Sequence, residues 1–343
     1  MRRSLVVLAL LAISGFAARE AAAQIDVPGV GLKKTAQSTM NFLKVGVVPN
    51  AVSLGDAYTA VGKGVEALFY NPAGLSEVEG KAEVFVGFTK WIADINYFAA
   101  GASWSLGNVG AVGVSFVSVD YGDIIGTRLV PASEIGTDVL GYRETGPLSN
   151  VGAYALGLGF SRSITDVFTM GAQVKVAYQS LGQSVLASGT KTNEMTKLAF
   201  DMGVKYYTPI RSFRFGMSIR NFSSSVKYEE ITTHLPLTFA VGCAADLADF
   251  LKKAWDRKDV LLASFEFTHP NDYSERVHFG LRYNFMNLLA LNLGYVTNHD
   301  LCGFSAGFSV TGKALGAVAE LSYSYSDVAI FDDLSRISLR LRF

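Results

Sequence analysis

From Lys81 to the end of the chain, apolar and polar residues alternate with a period of two, broken at intervals by turn residues. That pattern predicts β-strands with two differently dressed faces, because successive strand side chains point to opposite sides. The last eight residues show it most plainly. Ile337, Leu339, Leu341 and Phe343 share one face of an extended strand, and Arg336, Ser338, Arg340 and Arg342 share the other. An apolar face wants hydrocarbon, and three arginines want water or polar partners. A membrane barrel houses both, with lipid outside and a wet or polar-packed lumen inside. The strand ends on an aromatic residue, as a strand would that pairs with the first one and seals the ring. Taken by itself, this stretch also fits a polar-faced edge strand of a β-sandwich.

The same alternation predicts fourteen strands, near 83–90, 97–106, 109–121, 152–163, 167–179, 197–207, 213–221, 237–245, 260–268, 276–285, 289–295, 302–310, 318–325 and 336–343. An even number suits a single-chain bacterial barrel. The links give an independent check. Short ones (Gly107-Asn108, Ile164-Thr165-Asp166, Pro209-Ile210-Arg211, Met286-Asn287) follow even strands, and long polar ones near 120–151, 180–196 and 222–234 follow odd strands. With both barrel ends on the periplasmic side, those are periplasmic turns and extracellular loops. The link 247–258 breaks the rule, and its Leu, Phe, Trp and Lys spacing predicts a small amphipathic helix. Link lengths therefore favour a barrel over a sandwich.

The first eighty residues read differently. Arg2 and Arg3, the apolar run 5–16 and the small residues Ala21-Ala22-Ala23 before Gln24 predict a secretory signal peptide over residues 1–23. As a membrane anchor the run is short and ends in cleavable residues. Residues 24–80 follow, with a Gly/Pro-bearing linker, a short helix expected at 35–43, and then a glycine-rich stretch with neither strand nor sustained helical periodicity. A ring of fourteen strands is too wide for its own side chains to fill, yet narrower than open porins. The compact segment 24–80 is the expected plug, ahead of a barrel over 81–343.

Composition agrees. Half the 343 residues are hydrophobic and the mean hydropathy is +0.27, yet the only long apolar run is the leader, so the apolar residues are spread singly along strands. Without residues 1–23 the chain carries 27 basic and 29 acidic residues. That balance offers no basic excess to attract nucleic acid. Cys243 and Cys302 fall on the apolar parity of separate strands and are expected to face lipid.

Candidate chemistry is sparse. Gly62-Lys63-Gly64 lacks the upstream glycine and the following Ser/Thr of a phosphate loop. The four histidines have no metal-ligand spacing, so no metal and no cofactor are expected. Glu266, His278, Arg282, Glu320 and Arg340 are expected to share the lumen. They could conceal a carboxylate pair or triad, but a charge-balanced wall around a plug accounts for them more simply, so an enzyme is not expected. Asn71-Pro72-Ala73-Gly74 reads either as a working latch or as a turn that seats the plug. His269-Pro270-Asn271-Asp272 reads as a tight extracellular turn, or as a partner contact. Tyrosines near strand ends, including Tyr206, Tyr207 and Tyr295, suggest aromatic girdles.

Leu54-Gly55-Asp56-Ala57-Tyr58-Thr59-Ala60 and Phe69-Tyr70-Asn71-Pro72-Ala73-Gly74-Leu75 resemble the hatch signature of the FadL-like outer-membrane barrels. More narrowly, Phe42-Leu43-Lys44-Val45-Gly46 and the stretch from Glu266 through Asp272 to Val277 resemble the PorV/PorQ family within that group. The resemblance implies an all-β membrane protein: a fourteen-stranded antiparallel transmembrane barrel with an N-terminal hatch in its lumen, in the outer membrane of a Gram-negative-type bacterium. Its implied partners are outer-membrane lipid, the barrel-assembly machinery and, for a PorV-like role in type IX secretion, secretion-system and exported proteins. The FadL-like alternative implies a channel for hydrophobic small molecules such as long-chain fatty acids.

Overall fold

The computed structural model describes residues 37–130, 141–148, 150–186, 189–227, 232–250, 260–299, 302–314, 316–328 and 333–343. The expected signal peptide and the first part of the expected hatch lie outside them. Fourteen antiparallel strands close into one barrel: β1 (Ala82–Lys90), β2 (Asn96–Ser105), β3 (Ala111–Asp120), β4 (Val151–Thr165), β5 (Phe168–Leu186), β6 (Gly189–Tyr207), β7 (Arg214–Phe222), β8 (Thr238–Asp246), β9 (Val260–Pro270), β10 (Arg276–Phe285), β11 (Leu289–Val296), β12 (Cys302–Ala314), β13 (Ala317–Val328) and β14 (Leu334–Arg342). Each pairs with its sequence neighbours, and β14 returns to β1 in register from Glu83↔Arg342 to Lys90↔Ser335. Phe343 extends the seam, donating its amide to the Ala82 carbonyl and accepting from Lys81 N–H. No helix among the described residues is long and apolar enough to cross a membrane.

Alternation sorts the side chains as the sequence predicts. On β14, Ile337, Leu339 and Phe343 are exposed on the outer surface, while Arg336 and Ser338 are buried inside. On β1, Val84, Val86 and Phe88 point out, and Glu83, Phe85 and Thr89 point in and are buried. Such an apolar exterior is stable only in lipid, where hydrocarbon replaces the core that a soluble sheet would need. Cys243 is half-buried on the outward parity of β8. Tyr207 is a correction: it lies on the inward parity of β6 and binds Glu77, so it belongs to the bore and not to a girdle.

One link differs from expectation, and another lies largely outside the described residues. The stretch 180–196, expected as a polar loop, continues the ladder, so β5 and β6 each run 19 residues with a register shift between Ser180 and Gln183. At about 3.3 Å per residue and a tilt near 40°, that hairpin reaches roughly 20 Å beyond an apolar band of about 25 Å. Polar residues there are no bar to pairing, since water solvates both faces. Of the amphipathic helix expected at 247–258, the described part is a single 3₁₀ turn, Leu247–Asp249, capped by Asp246. Two small hairpins decorate the long-loop end, Ile125–Leu129 with Tyr142–Pro147 and Val226–Lys227 with Thr232–Thr233.

The core lies inside the ring. Residues 37–80 form an inner segment of short turns: 3₁₀ turns Asn41–Lys44, Gly64–Phe69 and Pro72–Glu77, and one helical turn, Pro49–Val52. The short helix expected at 35–43 is therefore only the first of these turns. At the long-loop end Thr39 N–H donates to His234 O, and at the other end Lys81 N–H reaches Phe343 O. Val48, Ala51, Leu54, Val65, Leu68 and Leu75 are buried with Phe85, Tyr97 and Leu262 of the wall. Where the segment passes closest, the wall has glycine. A Cβ on Gly294 would sit on the backbone of Leu54 and Gly55, and one on Gly203 would collide with the Asn71 side chain.

Leu281→Arg, on the outward face of β10, is expected to destabilise the barrel by about 2–4 kcal/mol, measured by reversible urea unfolding in lipid vesicles. Gly294→Ala is expected to leave the barrel heat-modifiable on gels while making the segment near Gly55 more accessible to protease. A protease pattern unchanged from the parent would count against the close packing described.

Candidate functional site

The inner segment bonds to itself only in short turns, which leaves other backbone polar groups in need of partners. Each one buried without a partner would cost about 1–3 kcal/mol. The barrel wall supplies the partners. Glu83 on β1 accepts from Val65 N–H at 2.8 Å and Glu79 N–H at 2.9 Å. Glu266 on β9 accepts from Thr59 N–H at 2.7 Å and the Thr59 hydroxyl at 2.9 Å. The carbonyls are met by wall cations: Arg214 Nε donates to Ala60 O, Arg220 to Phe69 O, and Arg336 Nε to Gly46 O. His278 Nδ1 donates to Gly55 O at 2.7 Å, which leaves Nε2 to accept from the Thr268 hydroxyl.

A second cluster ties side chain to side chain. Asn50 of the segment donates to both Glu66 and Glu320, at 3.1 and 2.9 Å. Arg340 spans the same two carboxylates, and Tyr58 donates its hydroxyl to Glu66 at 2.6 Å. Burial, and then the adjacent Glu66 carboxylate, push the Tyr58 hydroxyl well above its ordinary range, so it stays a donor. Arg282 joins through Asn292 and the Asn50 carbonyl. All five residues expected to share the lumen therefore face the inner segment. They form two groups, Glu266 with His278 near residues 55–59, and Arg282, Glu320 and Arg340 around Asn50.

Asn71 caps the turn Pro72–Glu77, its side-chain oxygen accepting from Ala73 N–H. Its amide nitrogen donates to Thr59 O within the segment and to Val204 O of the wall. Pro72 fixes the turn, Ala73 O accepts from Ser161 of β4, and Gly74 leaves room for the Gly62 carbonyl. Beside it Lys205, fully buried on β6, pairs with Glu77, which also accepts from Tyr207. Burial alone would push the Glu77 carboxyl up, but Lys205, with help from Tyr207 and Lys63, holds it below the usual carboxylate range.

The turn His269–Asp272 is directed inward more than outward. His269 and Pro270 finish β9. Pro270 and Asp272 are buried, Asn271 donates to Leu235 O, and only His269 is exposed. Asp272 accepts from Ser38 and pairs with Lys44, holding the start of the segment at the long-loop mouth. Sequence reasoning did not single out Asn50, Glu66, Glu77 or Glu83. Glu83 lay on the polar parity of the first strand, which was the available signal. The other three sit in the aperiodic segment, where no parity exists to read.

Two cavities flank the segment. One of about 120 Å³, toward the long-loop end, is lined by Phe42, Leu43, Val45, Leu68 and Phe69 and by the polar groups Asp56, Lys175, Arg220, Glu266 and His278. The other, about 990 Å³, lies at the short-turn end and is lined by apolar residues such as Val61, Leu262, Leu288 and Leu289 together with several charged ones. Among the described residues no group of three or more His, Cys, Asp or Glu side chains could hold a metal.

The closed ring of fourteen antiparallel strands matches the fold of FadL-type outer-membrane barrels. The chain is similar to the CymD monoaromatic hydrocarbon channel, at 12% identity and a TM-score of 0.54 over 87% of this chain and 96% of that one. It is similar also to a Pseudomonas aeruginosa FadL homologue, at 10% identity and a TM-score of 0.52 over 87% and 98% of the two chains. Those likenesses are of fold alone. No protein family and no curated protein matches the chain by sequence.

Asn71→Ala removes three hydrogen bonds and leaves Thr59 O and Val204 O buried. It is expected to loosen the segment by about 1–3 kcal/mol and to raise single-channel conductance in planar bilayers above the parent level. The Glu77 pair gives a pH prediction. A carboxyl held low when folded stabilises the packed segment above its ordinary range near 4.5, and that contribution is lost as pH falls through the folded value. Protease resistance of residues 37–80 should fall at acid pH, and Glu77→Gln should show the weakened resistance already at pH 7.

Proposed function

We propose that this protein is an outer-membrane channel for hydrophobic small molecules, such as long-chain fatty acids or monoaromatic compounds, with the inner segment as the hatch that stops the bore at rest. The observation that carries this reading is the pairing of a FadL-type fold with the small extracellular cavity between hatch and wall. Its apolar side comes from Phe42, Leu43, Val45, Leu68 and Phe69. A cavity near 150 Å³ is known to accept a benzene ring, so about 120 Å³ suits one small ring or a short length of acyl chain. Arg220, whose Nε has no acceptor, offers a polar end a place to bind. The hatch is held by many wall hydrogen bonds of modest individual strength, which suits a part that must shift for cargo to pass.

The resemblance to the PorV/PorQ family carries the competing reading, a type IX-like component that docks exported proteins at the cell surface. One experiment separates the two. Expression in a bacterial host lacking its own fatty-acid channel is expected to restore uptake of a labelled long-chain fatty acid, or of a labelled monoaromatic hydrocarbon. Uptake no better than the empty-vector control, together with loss of surface-exported proteins on deletion in the native host, would replace this reading with the secretion one.

A further inference from the structure

The periplasmic chamber has a chemistry that passage of a neutral hydrocarbon does not call for. Its volume is about 990 Å³, and Ser212, Asn287, Lys313 and Phe343 at its rim place its mouth at the short-turn end of the barrel. Six cations line it: Lys63 from the inner segment, Arg214 on β7, Arg282 on β10, Lys313 on β12, and Arg340 and Arg342 on β14. Only three carboxylate side chains do, Glu79, Asp246 and Glu320, with the α-carboxylate of Phe343 beside them. Counting Glu66, buried behind Arg340, and the α-carboxylate of Phe343, cations still exceed carboxylates by one, and Glu77 is shared between Lys205 and Lys63.

The carboxylates are also already engaged. Glu320 takes Asn50, Arg340 and Arg342, and Glu79 takes Arg342. Asp246 spends its Oδ1 on Ala248 N–H and Leu261 N–H. The hydrogen bonds of Arg214 and Arg282 go to neutral acceptors, Ala60 O, Asn292 and Asn50 O. Among the described residues neither of these arginines, nor Lys313, has a carboxylate within ion-pair distance. The buried Nε atoms of Arg340 and Arg342 have no acceptor either. A narrow wet chamber with low-dielectric walls focuses such a field, and guanidinium groups bind oxyanions through charge-assisted hydrogen bonds.

We propose that this chamber is a binding site for a phosphate- or carboxylate-bearing molecule that enters from the periplasm. Because the cations come from four strands and the inner segment, a ligand with two or more negative charges engages several at once. A monovalent ion has to choose among them. This site stands apart from the extracellular cavity and does not depend on the cargo reading.

The test uses the mature protein in lipid nanodiscs, with inorganic pyrophosphate and dodecyl phosphate as probes, followed by isothermal titration calorimetry at low ionic strength. Saturable binding is expected, weakening as salt screens the chamber. Arg282→Gln with Lys313→Gln should weaken it at least tenfold. Lys313→Gln alone, at an exposed side chain that makes no contact with the inner segment, should weaken it about threefold with protease resistance of the segment unchanged. Pyrophosphate binding assigns the site to soluble oxyanions, and binding of dodecyl phosphate alone, with the same losses in the variants, assigns it to an amphiphile's headgroup. No saturable binding of either probe, or affinities unchanged in the double variant, would overturn the proposal.

Discussion

The constraint on which everything else rests is that hydrocarbon offers no hydrogen-bond partner to a peptide group. Fourteen strands satisfy it only if the last one finds the first. The seam from Glu83↔Arg342 to Lys90↔Ser335, extended by Lys81 and Phe343, is therefore what makes the exposed leucines and phenylalanines outside tolerable. An open sheet with this exterior would carry two unpaired edges into lipid. Closure fixes the register of every strand in turn, and register fixes which residues face the bore.

Closure creates a second demand. A ring this wide encloses more space than its inward side chains fill, and the chain fills it with its own residues 37–80. That segment hydrogen-bonds to itself only within short turns, so the inner wall partners groups that the turns leave over. Glu83 and Glu266 receive its amides, Arg214, Arg220, Arg336 and His278 its carbonyls, and glycines such as Gly203 and Gly294 make room for its backbone. The charged lumen residues are thus first of all solvation for a buried loop.

The two ends of the bore are unlike. Toward the outside the segment presents aromatic and aliphatic side chains to a small cavity. Toward the periplasm it leaves a large chamber with cations in excess. The turn at Asp272 helps keep the first of these in place, since its carboxylate holds Ser38 and Lys44 at the mouth.

The sequence by itself determined the barrel: strand number, the faces of β1 and β14, and which ends carry long loops. All of that follows from a period of two, which is a local property of the chain and survives without tertiary knowledge. It also placed Glu266, His278, Arg282, Glu320 and Arg340 inside by parity alone. Only the tertiary structure decided how the bore is filled, because an aperiodic segment bonded through Asn50, Glu66 and Glu77 to residues scattered over the ring leaves no repeat to read. The hairpin of β5 and β6 escaped for a related reason. Above the membrane both strand faces meet water, so the alternation disappears while the ladder continues. Hydropathy records which solvent each face meets, and contacts between a loop and a wall distant in sequence leave no trace in it.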